Sequence, residues 1–231
     1  MKILSIDWDY FYPDSIDYDW GANEERDIYL NFLWKMRVSN VNLITQVPAL
    51  KEYVPKIPKD FWTGTVSNKP SLLVTDSHAD IDEIIKDNSI VVNLDAHHDY
   101  GYDMKDKLDC GNWAQIAKEE GRIKEYHLVY PEWRLDKPEY EDHSVQHLIL
   151  QTRITSISYK LPAKQDYDII FICRSGCWTP PWHDNKFFKF AKSSPHNSDI
   201  QYDVLPREFD MKQALQLGKE MQKKFEELMV K

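Results

Sequence analysis

Short apolar runs alternate with helical periodicities along this chain. Lys2–Ile6, Ser71–Thr75 and Ser89–Leu94 are dense in Ile, Leu and Val and are closed by polar residues. They are too short for helices, which predicts buried strands. Tyr126–Tyr130, Thr155–Tyr159 and Asp168–Cys173 read in the same way, the first stopped by Pro131. Between them the period changes. Ile28, Phe32 and Met36 recur every four residues, with Leu30, Leu33 and Trp34 widening the face, and predict a helix over residues 22–38. Short helices are expected over Asp82–Lys86, over Cys110–Glu120 with a stop at Gly121, and over residues 142–151. Phe209–Val230 reads as a long amphipathic helix. Pro48, Pro55 and Pro58 mark an irregular segment, and Pro180, Pro181, Pro195 and Pro206 predict a long loop over residues 178–206. In a compact domain such a loop is often functional.

Strands alternating with helices predict a three-layer α/β/α fold with a mainly parallel sheet, one domain over residues 1–231. Three of the strands end in acids or histidines: Asp7-Trp8-Asp9, Asp76-Ser77-His78 and Asp95-Ala96-His97-His98-Asp99. In open parallel sheets ligands bind beyond the carboxyl ends of the strands. One site can therefore draw on all three clusters. The third is the densest. An apolar run, Ile90-Val91-Val92, leads through Asn93-Leu94 to two carboxylates and two imidazoles, a donor set suited to zinc, manganese or iron.

Composition narrows the function. The chain carries 29 basic and 38 acidic residues, a net charge of −9, which argues against nonspecific nucleic-acid binding. It is compatible with a cationic substrate. A Rossmann glycine fingerprint and a P-loop are both absent, so dinucleotide and triphosphate binding lose their usual signatures. Three cysteines, Cys110, Cys173 and Cys177, form neither a disulfide framework nor a paired zinc knuckle. No apolar run is long enough to span a membrane. Asp7 and Asp9 stand where a signal peptide needs apolar residues, so a cytoplasmic, reducing setting is expected.

Asp95-Ala96-His97-His98-Asp99 resembles the Asp-Ala-His-x-Asp hallmark of the arginase/agmatinase/deacetylase (ureohydrolase) superfamily of metal hydrolases. Ser5-Ile6-Asp7-Trp8-Asp9 is similar to its Ser-x-Asp-x-Asp, and His78 to the histidine that ends an earlier strand. In arginases the Asp-x-Asp follows the Asp-Ala-His motif, whereas here it precedes it. The resemblance therefore implies a permuted strand order. It also implies two Mn2+ ions, with Zn2+ or Fe2+ as alternatives. Asp95 and Asp7 would bridge them, His78 and Asp99 would complete one, and His97 and Asp9 the other. Arginases follow the motif with a Ser-Gly-Asn loop that grips the free carboxylate of arginine and then a proton-shuttling histidine. Here that segment is Cys110-Gly111-Asn112-Trp113-Ala114. The altered loop is more similar to the peptide arginases, which convert arginine within precursor peptides to ornithine. The expected partner is thus an arginine-containing precursor peptide.

In that chemistry a metal-bridging hydroxide attacks the guanidinium carbon, releasing urea and an amine. An acid must orient the guanidinium, since arginine pairs bidentately with carboxylates. Asp14 is a candidate, as are Asp17 and Asp19, just past the Asp-x-Asp. His98, beside the ligands, is a candidate proton shuttle. A zinc-type deacetylase of the same fold, an Asp-x-Asp phosphatase built on Asp7 and Asp9, and a noncatalytic metal-binding protein stay open as alternatives. The phosphatase reading lacks its usual hydroxyl residue, since Phe11 stands there. His143 and His147 lack the Glu of a zincin motif. Cys173 reads as a small buried apolar residue, Arg174 as a residue that could orient a carboxylate, and Trp178 and Trp182 as packing or groove residues.

Overall fold

A computed structural model describes residues 1–13, 28–39, 53–101, 107–136 and 153–229. Seven parallel strands form one sheet: β1 (Lys2–Asp7), β2 (Ser71–Thr75), β3 (Ser89–Leu94), β4 (Ile123–Val129), β5 (Ser156–Ser158), β6 (Ile169–Cys173) and β7 (Ile200–Tyr202). Their order is β5-β4-β3-β1-β6-β2-β7. β1 therefore sits centrally, with Ile6 opposite Leu94 of β3 on one side and Ile172 of β6 on the other. The helices are α1 (Ile28–Ser39), α2 (Phe61–Thr65), α3 (Trp113–Glu119), α4 (Asp184–Lys192) and α5 (Met211–Met229).

Central strands covered on both faces need apolar residues at successive positions, and β1, β3 and β6 supply them. Leu4, Ile6, Val92, Leu94, Ile170 and Ile172 face one core, together with Phe187, Phe190 and Ala191 of α4. Ile3, Val91, Phe171 and Cys173 face the other, together with Trp113, Ala114 and Ala117 of α3. The result is the three-layer α/β/α arrangement expected from the alternation of strands and helices. α5 packs on α1 at close range: a Cβ on Gly218 would lie 2.7 Å from the Ser39 carbonyl oxygen.

Local differences from the expected elements have physical causes. The 178–206 stretch is not one loop. It holds a 3-10 turn at Pro181–His183, then α4 and β7. Proline at a first helical position opens a helix without breaking it, so Pro181 starts structure here. The helix expected over Asp82–Lys86 is instead a 3-10 turn over His78–Glu83, capped by the Ser77 hydroxyl accepting from the Ala79 N–H. α3 begins at Trp113 and not at Cys110. Residues 22–27 and 142–151 lie outside the described residues. No helix among the described residues is long and apolar enough to cross a membrane.

Candidate metal centre

Three strand ends meet above the middle of the sheet. At the end of β1 the chain enters a 3-10 turn, Trp8–Phe11, in which the Asp7 carboxylate accepts from the Asp9 N–H at 3.0 Å. Trp8 fastens the turn: its ring lies 5.2 Å from Phe11, 5.5 Å from Phe187 and 5.0 Å from Phe190. Aromatic pairs at such spacings add to the gain from area burial alone. With Trp8 held in the core, the carboxylates on either side of it are held too.

After β3 the chain also turns tightly. Asp95 accepts from the His97 N–H at 2.8 Å, and Asp99 adopts a left-handed conformation with φ of 51°. Asp and Asn tolerate that region better than most residues. The Trp113 indole, at the start of α3, donates to Asp99 Oδ2 at 2.6 Å. Asn93 donates to Asp95 Oδ2 at 3.1 Å and to the Tyr126 hydroxyl, which in turn donates to the His98 carbonyl.

His78 arrives from β2. It crosses over β6, stacking on Phe171 at 5.7 Å and lying 4.9 Å from the Trp113 ring. Its Nε2 meets the Ser5 hydroxyl of β1 at 2.7 Å. That leaves Nδ1 aimed at carboxylates: 2.9 Å from Asp99 Oδ2, 3.2 Å from Asp95 Oδ2 and 3.3 Å from Asp7 Oδ2. His97 Nδ1 lies 3.1 Å from Asp9 Oδ2 and 3.7 Å from Asp95 Oδ1. Two donor groups result, Asp7–His78–Asp95 and Asp9–Asp95–His97, with ligand atoms within 4.8 Å in each and Asp95 common to both.

The electrostatics are those of like charges buried together beside two imidazoles. Four carboxylates are buried together, and a buried carboxylate must be paired, coordinated or protonated. Burial and the charges of Asp9 and Asp95 push Asp7 well above the usual carboxylate range. Burial and the Asp95 charge push Asp99 up to about 7. For Asp95 burial works upward, but the hydrogen bonds and charges of His78 and His97 outweigh it and hold the group down. Burial works downward on both imidazoles. It is outweighed at His78 by Asp99, Asp7 and Asp95, and at His97 by Asp9 and Asp95, so both rise well above the usual histidine value. Asp9 Oδ2 is fully buried with no hydrogen-bond partner among the described residues, although His97 Nδ1 is near. The residues fit a pair of divalent ions: oxygen and imidazole donors, four formal negative charges, and a shared carboxylate.

All six residues expected as metal ligands, Asp7, Asp9, His78, Asp95, His97 and Asp99, are thus brought together. His98 is buried beside them, its Nδ1 accepting from the Tyr100 N–H at 3.0 Å, which puts the proton of the neutral ring on Nε2. Asp14, Asp17, Asp19, His143 and His147 lie outside the described residues. Asp76 does not join the cluster. It accepts two bonds from Arg174, at 2.6 and 2.7 Å, and Arg174 also reaches Asp184 and the Leu205 carbonyl. Cys173 is fully buried with its sulfur against the Asp76 carbonyl, a packing role. Trp178 is half-buried with its ring 5.1 Å from His97, whereas Trp182 packs on Trp34 and Phe209. Phe11 is part of the aromatic core, so the hydroxyl that an Asp-x-Asp phosphatase needs is absent from that position.

The sequence pattern did not point to Ser5 or Trp113 as partners of ligands. Ser5 carried one faint signal, a polar residue inside an otherwise apolar central strand. No protein-family model matches the chain, and the searches of curated proteins and of solved structures found no match to it.

Proposed function

We propose that this protein is a binuclear metal hydrolase that cleaves the guanidinium group of peptidyl arginine, giving ornithine and urea. The observation that carries the reading is the two-part donor set built around Asp95. For the two motifs to share one site their strands must end close together despite their reversed order in the chain, and β1 pairs directly with β3. His78, Asp7, Asp95 and Asp99 would hold one ion, and Asp9, Asp95 and His97 the other, with Mn2+ as the expected metal; Asp7, expected as a second bridge, groups with His78 and Asp95 alone. Bound there, the ions would supply Lewis acidity and a water acidified toward neutral pH.

The chain's own residues set the remaining conditions. Ser5 and Trp113 fix the orientation of His78 and Asp99 before any metal arrives. Trp178 offers a ring face beside His97, and a guanidinium over an indole is favoured electrostatically. The net reaction adds one water: the bond between the guanidinium carbon and the side-chain nitrogen breaks, the nitrogen leaves as ornithine's amine, and the carbon leaves as urea. His98, buried next to the ligands, is the candidate to carry a proton to that nitrogen.

A peptide fits better than free arginine because the loop that would grip a free carboxylate is closed on itself. Asn112 is buried, donating to the Lys107 carbonyl at 2.7 Å and accepting from the Asp109 N–H at 2.9 Å, while the Gly111 N–H donates to Asp109. The test is incubation of the purified protein with Mn2+ and arginine-containing peptides, read by mass spectrometry. A loss of about 42 Da per arginine, the CH2N2 that leaves as urea, is expected from metal-assisted hydrolysis. Bound metal with no mass change on any peptide or on free arginine would reject the reading.

A further inference from the structure

β7 is an edge strand, and its outward side faces no other strand among the described residues. Its bonds to β2 are made by residues of one parity: Leu72 N–H donates to the Asp199 carbonyl, and Asp203 N–H donates to the Val74 carbonyl. In a parallel ladder alternate residues address alternate neighbours. The backbone N–H and C=O of Ile200 and Tyr202 therefore point to the open edge. Such a row is a template for pairing with another extended chain, and proteins usually protect it with charge, proline or a covering element. Here the three strand residues are uncharged, and Ile200, Tyr202 and the nearby Leu205 are all exposed.

We infer that the open edge of β7 binds an extended stretch of the substrate peptide as an added strand, leading the target arginine to the metal centre. This rests on the peptidyl-arginine reading above. Charge favours that occupant. Across residues 197–210 the acids Asp199, Asp203, Glu208 and Asp210 are exposed, and the one cation, Arg207, is engaged with Asp184. The segment thus presents acids with no competing free cation to an arginine-bearing chain. Position favours it too. β7 pairs with β2, the strand that leads to His78, and Tyr202 stands at the same carboxyl end as the ligands. A strand added beyond β7 would be four strand spacings from β1, about 19 Å, a span of about six extended residues. Backbone pairing recognises an extended peptide with little regard to side chains, so the arginine itself would be selected at the centre.

The probe is a fluorescein-labelled Val/Thr-rich peptide with one arginine, titrated with the full-length Mn2+-loaded protein and read by anisotropy. Tyr202→Pro removes an outward N–H that β2 does not use, a change edge strands accommodate. It should weaken binding about tenfold or more. The same peptide N-methylated at successive backbone nitrogens, which blocks both of its edges, should lose as much against the unmodified protein, which covers the case in which Tyr202→Pro lowers the melting temperature. Equal affinity for the methylated and unmethylated peptides, or no binding of either, overturns the inference. Turnover of N-acetyl-arginine amide, too short to span the distance, is read separately. A protein that binds the labelled peptide through the edge and leaves both that peptide and N-acetyl-arginine amide unchanged in mass would reject the proposed chemistry and keep the edge.

Discussion

The Ser5 hydroxyl and His78 Nε2 lie 2.7 Å apart, joining the central strand to a ligand delivered by another strand. Because Nε2 is engaged there, Nδ1 is the nitrogen that faces Asp7, Asp95 and Asp99. A neutral imidazole that ligates through Nδ1 must carry its proton on Nε2 and donate it, and Ser5 is the acceptor. Ser5→Ala should leave the fold intact and weaken metal binding about 10- to 100-fold, the usual cost of losing such a partner. Competition with a metal-sensitive dye measures this, and an unchanged affinity would show that the hydroxyl does not set the ring.

Metal removal should destabilise the protein. Four buried carboxylates repel one another, and a ligand that binds only the folded state adds about 2.7 kcal/mol at a hundredfold excess over its Kd. For a chain of this size that is a melting shift of about 5–10 °C. A chelator should lower the melting temperature, Mn2+ should restore it, and elemental analysis should count two ions per chain. Asp95→Ala should abolish the shift, since Asp95 belongs to both donor groups.

His183 makes folding stability depend on pH. It is buried, with Nδ1 3.2 Å from the Tyr12 hydroxyl, and burial, helped by the Lys186 charge and opposed by Asp184, holds it down at about 4. The unfolded chain takes a proton near pH 6.5. The contribution of this group is therefore complete above that pH, falls as the pH drops toward about 4, and is constant below. The loss should amount to about 2–3 kcal/mol. Urea titrations at pH 7.5 and 4.5, compared between the parent protein and His183→Gln, should show a smaller pH effect in the variant.

Arg174 is a structural cation. It is buried, bidentate on Asp76, and shared with Asp184, so it ties the ends of β6 and β2 to the start of α4. Arg174→Met leaves Asp76 buried without its counter-charge, which should cost about 3–5 kcal/mol in denaturant unfolding. Asp184 retains Arg207. Because Asp76 stands two residues before His78, the variant should also bind metal more weakly; a stable variant with full metal affinity would contradict this role.

Much of the candidate site was legible because its candidate ligands follow uninterrupted apolar strands, and strand ends of a parallel sheet share one rim. Asp95, His97 and Asp99 could be read from one segment, whereas grouping them with Asp7, Asp9 and His78 relied on the expectation of a common sheet. The strand order was not legible from local pattern, because the pairing of β1 with β6 is decided by contacts 166 residues apart in the chain. β7 and α4 were hidden for different reasons. β7 is exposed throughout and has no buried face to create alternation. α4 is short and bounded by prolines, which read as a loop, although its core residues Phe187, Phe190 and Ala191 stand at helical spacing. Ser5 and Trp113 are helpers whose role depends only on where distant strands put their neighbours.

The central place of β1 has a consequence for how the chain assembles. β1 precedes both of its partners, and β6 ends only at Cys173. During synthesis its apolar residues are exposed well before the second neighbour exists, with β3 able to cover one side alone. Sheets completed by distant segments fold slowly and are exposed to aggregation while they wait. Ligands from β1 and β3 could meet early on the ribosome, yet they would lack the floor that Phe171 of β6 places under His78. Assembly of the candidate site is thereby tied to the pairing of β1 with β6.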